Sequence, residues 1–170
     1  MAHAKPPHPA ALDPDALLRQ CTLQRTRGTG PGGQHRNKTE TAVRLTHTPT
    51  GVTAQAGERR SQAENRRVAL RRLRMNLALQ VRGEAPAAPS ERWQSRCRNR
   101  QITVNPRHAD FPALLAEALD VIAAHGYDLA RAAKILGVTP SQLIKLLKLE
   151  PAAHHHVNTQ RQQRHLKPLH

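Results

Sequence analysis

The sequence predicts an α+β fold: a β-hairpin or small sheet packed on one long helix, then an all-α, helix-turn-helix-like segment and a basic tail. Alternating apolar residues around a turn predict the hairpin, and leucines at helical spacing predict the long helix. Short capped patterns predict the all-α segment. The predicted divisions are a flexible N-terminus (1–12), a first domain (13–82), a basic linker that can hold a short strand (83–108), a helical domain (109–150) and the tail (151–170).

The composition points to a polyanionic partner. The chain has 170 residues, a formal net charge of +15 and a pI near 11.5, which favours nucleic acid or an anionic membrane surface. No apolar run approaches the roughly 20 residues that span a bilayer, and no apolar export segment begins the chain. Cys21 and Cys97 are isolated, so a cytoplasmic location without a structural metal is expected.

The positive charge is unevenly distributed. Residues 1–84 contain 15 Lys/Arg and 6 Asp/Glu, a net charge of +9, and residues 85–108 have a net charge of +4. Residues 109–150 have a net charge of −1 and residues 151–170 one of +3. The polyanion contact is therefore expected in the front half and the tail, and not in the helical domain.

The first domain is predicted to begin with a short helix, a strand and a β-hairpin. Asp13 before Pro14 predicts a capped helix to about Gln20. Residues 21–26 alternate as a strand, and residues 41–47 and 52–56 flank the turn at 48–51 as a hairpin.

A long helix is predicted from Ser61 to about Gln80. Residues 61–64 have the form of a capping box, and Leu70, Leu73 and Leu77 form an apolar stripe that Ala63 extends. Five arginines surround the stripe without acidic partners four residues away, and we interpret them as partly facing phosphate rather than only solvent. These are Arg66, Arg67, Arg71, Arg72 and Arg74.

The second half has weaker patterns. Residues 101–104 predict a short strand that closes the first domain. Helices are predicted from Asp110 to before Gly126, from Asp128 to before Gly137, and after Thr139. This helix-turn-helix pattern is more typical of a small packing unit than of a DNA reader, because its net charge is −1. The histidines at 154–156 and the three cations of the tail predict a solvated, mobile segment that can follow RNA.

The most specific motif is the segment 30–38, Gly-Pro-Gly-Gly-Gln-His-Arg-Asn-Lys. Glycine permits a close approach of the backbone to a ligand, and arginine and lysine flank the pair. The segment therefore predicts a thin, basic loop that presents the neutral amide of Gln34 to a narrow nucleic-acid cavity.

Residues 27–80 resemble the catalytic domain of class I peptide chain release factors and of their codon-independent ribosome-rescue relatives. Four features in order carry the resemblance: Gly-Pro-Gly-Gly-Gln at 30–34, Asn-Lys-Thr-Glu at 37–40, Ala-Val-Arg-Leu-Thr-His at 42–47, and Arg-Arg-Ser-Gln at 59–62 with Asn-Arg one turn later. Arg36 departs from the family, in which an apolar residue is usual.

The resemblance implies hydrolysis of the ester that joins a nascent peptide to tRNA. Gly32, Gly33 and Gln34 would be the catalytic residues, with water as the nucleophile. The amide of Gln34 does not titrate, so its role would be to position the water and to stabilise the oxyanion through a backbone N–H. No metal and no small-molecule cofactor is expected.

The resemblance also implies an RNA-contacting set around the loop. The expected partners are peptidyl-tRNA and the catalytic centre of the large ribosomal subunit, with its 23S-type rRNA, and the protein would act as a monomer without a membrane. The expected RNA contacts are Arg27, Arg36, Asn37, Lys38, Arg59, Gln62, Asn65 and Arg66. Packing or capping is the alternative role for the last four. The tail residues Arg161, Arg164 and Lys167 would lie in the mRNA channel or against the ribosome.

The predicted function is therefore codon-independent rescue of stalled ribosomes by a peptidyl-tRNA hydrolase. A chain of this length has no room for the codon-reading domain of a full release factor. Two alternatives remain: a non-catalytic ribosome- or rRNA-binding factor, and a DNA-binding regulator that uses the helix-turn-helix.

Overall fold

The structure is a computed structural model, and it describes residues 6–26 and 41–170. The described chain has a mixed α/β architecture, which confirms the predicted fold class. It divides into two units. The sheet unit comprises Leu12–Val81, for which 13–82 was predicted, and the helical unit comprises Met1–Ala11 with Arg82–His170.

The sheet unit is an antiparallel meander with one long helix. Helix α1 (Pro14–Arg19) begins at the predicted cap, where Asp13 accepts a hydrogen bond from the Asp15 amide at 2.9 Å. Strands β1 (Cys21–Thr26), β2 (Ala42–His47) and β3 (Thr53–Ala56) pair in the order β1-β2-β3. Leu45 lies at the centre, paired with Leu23 on one side and Ala54 on the other.

Helix α2 (Gln62–Gln80) packs on β2 and β3 through a stripe of residues spaced by four. The buried residues of this stripe are Asn65, Ala69, Leu73 and Leu77. The predicted stripe is correct at Leu73 and Leu77, but Ala63 is exposed and Leu70 is only half-buried. The polar Asn65 occupies a core position because hydrogen bonds satisfy its amide, a possibility that an apolar pattern does not reveal.

Side chains of α2 cover the outer edge of β3. Arg72 donates to the Gln55 carbonyl at 2.8 Å, and Asn76, one turn later, donates to the Thr53 carbonyl at 2.9 Å. Arg72 also forms an ion pair with Glu58 at 2.7 Å. An open strand edge invites pairing with another chain, so these contacts protect the sheet. They also remove Arg72 from the set of arginines predicted to face phosphate, and Arg74 is buried as well.

The helical unit is built around one buried helix. Its members are α3 (Glu91–Gln94), the two-stranded hairpin of β4 (Cys97–Arg98) and β5 (Gln101–Ile102), α4 (Phe111–Ala124), α5 (Leu129–Leu136), α6 (Pro140–Lys148) and α7 (Pro151–Gln163). Helix α4 is buried on nearly all sides, as the accessibilities of Phe111, Leu115, Leu119 and Ile122 show. Within the described residues, the helices are too short or too polar to cross a bilayer.

The helix-turn-helix of α5 and α6 forms as its caps predict. Asp128 accepts hydrogen bonds from the amides of Ala130 and Arg131 at the start of α5. Gly137 ends that helix in the left-handed region, with φ of 67°. Thr139 then caps α6 by accepting from the Gln142 amide at 3.3 Å.

The predicted linker (83–108) is wrong, because these residues belong to the helical unit. Trp93 on α3 is fully buried, and its indole N–H donates to the Leu136 carbonyl at 2.8 Å. The short strand that was predicted to close the first domain pairs with β4 instead. Proline and arginine in this segment suggested a linker, but the buried tryptophan and the hydrogen bonds of Ser90 to Glu117 anchor it to the helical unit.

The predicted flexible N-terminus (1–12) is also wrong for the residues that the structure describes. Pro9–Ala11 form a 3₁₀ turn that contacts α4, and Ala10 is fully buried. These residues fold with the helical unit, although the sheet unit follows them directly in the chain.

The predicted mobile tail is a folded helix. Glu150 caps α7, and Ala153 and Val157 are buried, one helical turn apart, on the helix that packs against α6. The Asn158 side chain then holds the backbone of Leu169, accepting from its amide at 2.7 Å and donating to its carbonyl at 3.2 Å. Only two apolar residues of α7 are buried, which explains why its composition suggested a solvated segment.

Candidate functional site

The candidate site is the base of the glycine-rich loop, at the end of the sheet where β1 stops and β2 starts. Thr26 and Ala42 are partners in the antiparallel register, so the connection over residues 27–40 leaves and returns at one paired position. The predicted catalytic residues Gly32, Gly33 and Gln34 lie outside the described residues. The same holds for Arg27, Arg36, Asn37 and Lys38.

The end of β3 approaches the loop base closely. A Cβ atom added to Gly57 would lie 3.0 Å from the Cβ of Ala42 and 3.7 Å from its Cα. Real Cβ atoms rarely come this close, so a side chain at Gly57 would push β3 away from the first residue of β2. Glycine at this position thus brings the segment 57–60 against the loop base.

Asn65 ties this segment to the loop. Its side-chain amide donates to the Thr41 carbonyl at 2.7 Å and to the Arg59 carbonyl at 2.9 Å, and its carbonyl oxygen accepts from the Arg59 amide at 2.9 Å. Thr41 directly follows the loop, so one side chain joins helix α2, the loop exit and the backbone of Arg59. Asn65 is fully buried, which contradicts the predicted contact with RNA and agrees with the alternative of a packing role, here that of holding the loop base.

The other described residues of the predicted RNA-contacting set remain accessible. Arg59 and Arg66 are exposed, and Gln62 is partly exposed in the first turn of α2. Ser61 caps this helix by accepting from the Glu64 amide at 3.4 Å. Gln62 and Arg66 lie one turn apart on α2 and so project from the same side of that helix.

Exposed arginines lie on three of the described segments that meet at the loop base: β1, the segment 57–60 and the start of α2. Arg25 precedes Thr26 in the last part of β1, Arg60 follows Arg59, and Arg67 follows Arg66. We name the exposed set the loop-base arginines: Arg25, Arg59, Arg60, Arg66 and Arg67. Such a set attracts a polyanion, and its guanidinium groups suit the oxygen geometry of phosphate.

The acidic residue nearest this set in sequence is held by the protein itself. Backbone amides of Glu58 and Gly57, followed by the Arg72 side chain, lower the pKa of the Glu58 carboxyl. Its oxygens lie 3.0 Å from the Gly57 amide and 2.7 Å from Arg72. Glu58 therefore stays ionised but directs its charge toward Arg72.

The opposite end of the sheet is stabilised by a buried histidine. His47 is 1 % exposed, and its ring nitrogens lie 2.7 Å from the Thr50 hydroxyl and 3.0 Å from the Gln20 side-chain oxygen. Burial lowers the pKa of His47. The neutral ring therefore joins the end of α1 to the β2–β3 turn, and this histidine is structural.

Two of the three tail cations predicted to bind the ribosome hold the helical unit together. Arg161 donates to the Tyr127 carbonyl and, at 2.8 Å, to the Lys167 carbonyl. The Arg164 guanidinium lies over the Tyr127 ring, 4.5 Å from its centre. The predicted mobility of the tail is therefore wrong, because these contacts fold the segment back on the protein, and its binding in the mRNA channel or against the ribosome stays a prediction.

The sequence offered only weak indications of the residues that hold the loop base. Asn65 followed an arginine-rich motif, which suggested an RNA contact, and its partner Thr41 lies 24 residues before it in the sequence. Gly57 follows a strand, where glycine is common in any turn. Both roles depend on the approach of β3 and α2 to one end of β2.

The three-stranded sheet with one long arginine-bearing helix packed on it, and the Gly-Gly-Gln sequence between β1 and β2, together define a class of domain. The family model described as the RF-1 domain matches residues 17–111, more than half of the chain. The chain therefore belongs to this family, the domain that carries the Gly-Gly-Gln motif in class I release factors.

Its curated relatives are peptide chain release factors. The chain is 39 % identical over 106 residues to peptide chain release factor 1 of Acidiphilium cryptum, covering 61 % of this chain and 30 % of the relative. It is 41 % identical over 75 residues to the mitochondrial peptide chain release factor 1 of Bos taurus, covering 44 % of this chain and 17 % of the relative. It is 59 % identical over 51 residues to peptide chain release factor 2 of Variovorax paradoxus, covering 30 % of this chain and 14 % of the relative.

The chain thus spans less than a third of the length of these relatives. No solved structure matches it. The family is established by the matched region, and the activity of the whole relatives is a separate question.

Proposed function

We propose that this protein hydrolyses the ester bond of peptidyl-tRNA on the ribosome. The observation that carries the proposal is the position of Gly32, Gly33 and Gln34 within the β1–β2 connection of an RF-1 domain. Thr26 pairs with Ala42 at the base of that connection, and Asn65 binds the Thr41 carbonyl. A rigid base lets a thin loop enter a narrow cavity with little loss of conformational freedom.

The proposed chemistry needs no titrating side chain at the tip of the loop. The amide of Gln34 is neutral and cannot serve as a general base, so it orients the attacking water. A backbone N–H at this residue would stabilise the oxyanion, and Gly32 and Gly33 would permit the required backbone shape. The rest of the catalytic surroundings would be ribosomal RNA, and the loop-base arginines would bind the nearby phosphates.

We further propose that release does not depend on a stop codon and that the substrate is a stalled ribosome in the cytoplasm. Reading unpaired bases commonly uses exposed aromatic side chains as stacking partners. Trp93 and Phe111 are fully buried here and Tyr127 is 6 % exposed, and these are the tryptophan, phenylalanine and tyrosine residues of the whole sequence. All three are used by the core of the helical unit.

The experiment is release of labelled peptide from purified ribosomes that carry peptidyl-tRNA. Three messages are compared: one that ends in the peptidyl site, one with a stop codon in the next site, and one with a sense codon followed by more message. We expect release on the first message without any stop codon. Release on the stop-codon message alone would contradict codon independence, and no release on any message would contradict hydrolysis itself.

A further inference from the structure

The hairpin of β4 and β5 has an unusual turn. Arg98 pairs with Gln101, so Asn99 and Arg100 form a two-residue turn, with φ of 49° and 61°. Both residues lie in the left-handed region, as the tight turn of such a hairpin requires. Asparagine suits the first position, whereas the second strongly favours glycine. Arginine at residue 100 is therefore sterically disfavoured, and such strain is often retained where the side chain is needed for function.

The turn presents unpaired positive charge. Ile102 is buried and Cys97 half-buried on the inner face, while Arg98 and Arg100 are exposed. Within the described parts of the chain, neither guanidinium has a hydrogen-bond or ion-pair partner. The two cations at the tip are therefore available to an external anion.

Two neighbouring arginines, Arg92 and Arg96, differ from the pair at the tip because they form ion pairs within the protein. Arg96 lies 2.7 Å from the carboxylate of Asp110, and Arg92 lies 3.5 Å from it. The hydrogen bond from Arg96 lowers the pKa of Asp110, with Arg92 adding to the effect. The acidic group is thus neutralised by these two side chains and does not pair with the hairpin tip.

The hairpin is held rigidly in the helical unit. The Thr139 amide, at the cap of α6, donates to the Arg100 carbonyl at 3.2 Å, and the Thr103 amide donates to the Arg96 carbonyl at 3.1 Å. Rigid backbones fix the positions of Arg98 and Arg100, so binding an anion there costs less entropy than binding through a free tail.

We infer that the tip of the β4–β5 hairpin binds the sugar-phosphate backbone of double-stranded RNA. The arginine fork matches phosphate oxygens, and Trp93, Phe111 and Tyr127 are buried and so do not serve as stacking platforms for bases. Recognition through phosphates and groove shape is the mode that suits duplex RNA. The choice of RNA over DNA rests on the proposed function, in which the polyanion is a ribosome. The helical unit would then anchor the protein independently of the catalytic loop.

The test measures binding of the full-length protein to a blunt RNA duplex of about 20 base pairs, long enough for a typical duplex-binding domain, by fluorescence anisotropy at several salt concentrations. The variants are Arg98→Gln, Arg100→Gly and their combination. Arg131→Gln is the matched control, because it removes one positive charge from an exposed arginine of the same unit, on α5. A DNA duplex of the same sequence is the second ligand.

For duplex DNA, each phosphate contact adds about 0.9 to the magnitude of the slope of log K against log salt. Taken as a guide, this slope corresponds to about eightfold in affinity for each contact at 0.1 M salt. We expect the double variant to lose about 60-fold and to reduce that slope by nearly 2. The control should retain nearly all the affinity of the wild type. An equal loss in the control, or an unchanged salt slope in the double variant, would overturn the inference. Tighter binding of the DNA duplex would overturn RNA as the partner.

Arg100→Gly separates binding from folding. Glycine relieves the left-handed strain, so the thermal midpoint of this variant should rise by a few degrees while its RNA affinity falls. Loss of both stability and binding would mean that Arg100 is structural, which would contradict the inference.

Peptide release distinguishes this inference from the proposed function. Specific loss of duplex binding in the hairpin variants, together with no peptide release by the wild type, would preserve the hairpin site and reject the hydrolase. Peptide release by the wild type, together with unchanged duplex binding in the hairpin variants, would keep the hydrolase and reject the hairpin site.

Discussion

Replacing Asn65 with alanine should release the base of the catalytic loop. The substitution removes three hydrogen bonds, of 2.7, 2.9 and 2.9 Å, and leaves the Thr41 carbonyl and both backbone groups of Arg59 without their partner. Thr41 and Arg59 are not fully buried, so water can partly replace the lost bonds. A cost of about 1 kcal/mol for each bond gives a loss of about 3 kcal/mol in the unfolding free energy of the sheet unit.

The assay is amide hydrogen exchange followed residue by residue by NMR. A loss of about 3 kcal/mol corresponds to exchange that is on the order of a hundredfold faster for the protected amides of β2 and β3. Gln62→Ala is the matched control, since it removes an amide side chain from the same helix one turn earlier. The fluorescence of Trp93, the single tryptophan of the sequence, verifies that the helical unit remains folded.

We also expect Asn65→Ala to reduce peptide release more than Gln80→Ala, an exposed glutamine at the end of the same helix, because a loosened base presents the loop in many orientations. Protection of the β2 and β3 amides within threefold of the wild-type value would refute the reasoning. It would mean that water or a shifted backbone replaces the amide of Asn65 without cost.

Two further predictions concern buried polar contacts. Burial lowers the pKa of His47 below its ordinary value near 6.5, so the unfolded chain takes up a proton first and the sheet unit loses stability as the pH falls below that value. His47→Gln should remove this dependence, measured between pH 7.5 and 5 by exchange of β2 amides, and an unchanged slope would assign it to another group. Trp93→Phe leaves the buried Leu136 carbonyl without its donor and should cost the helical unit about 1–3 kcal/mol in urea unfolding followed by circular dichroism. An unchanged urea midpoint would show that the hydrogen bond of the indole N–H does not contribute to the stability of the helical unit.

Local sequence patterns predicted most of the elements. Asp13, Ser61, Asp128 and Thr139 cap the helices that they were predicted to cap, because a cap needs only the following two or three residues. The strand alternation around the turn at 48–51 was equally local.

The errors arose where contacts between residues distant in sequence decide the structure. Trp93 folds a proline-containing segment into the helical unit through a carbonyl 43 residues away. Asn158 and Arg161 fold back a tail whose composition is that of a solvated segment. Such contacts have no periodicity, so pattern analysis assigned these residues to a linker and a mobile tail.

In the candidate site too, the local motif was predicted from the sequence and the long-range contacts were not. The Gly-Gly-Gln motif and the neighbouring arginines identified the family, whereas the support beneath the motif depends on tertiary structure. Asn65 matched a motif position, which left an RNA contact and a packing role equally open, and the convergence of β2, β3 and α2 encloses it.

The most direct test of the account compares wild-type protein with Gln34→Ala in peptide release from ribosomes stalled at the end of a message without a stop codon. Gln163→Ala, an exposed glutamine at the end of α7, is the control. We expect release by the wild type and the control, and a loss of about tenfold or more for Gln34→Ala with ribosome binding retained, because the substitution removes the side chain that orients the water and leaves the backbone N–H in place. Release by Gln34→Ala at the wild-type rate would contradict the assignment of the chemistry to this loop.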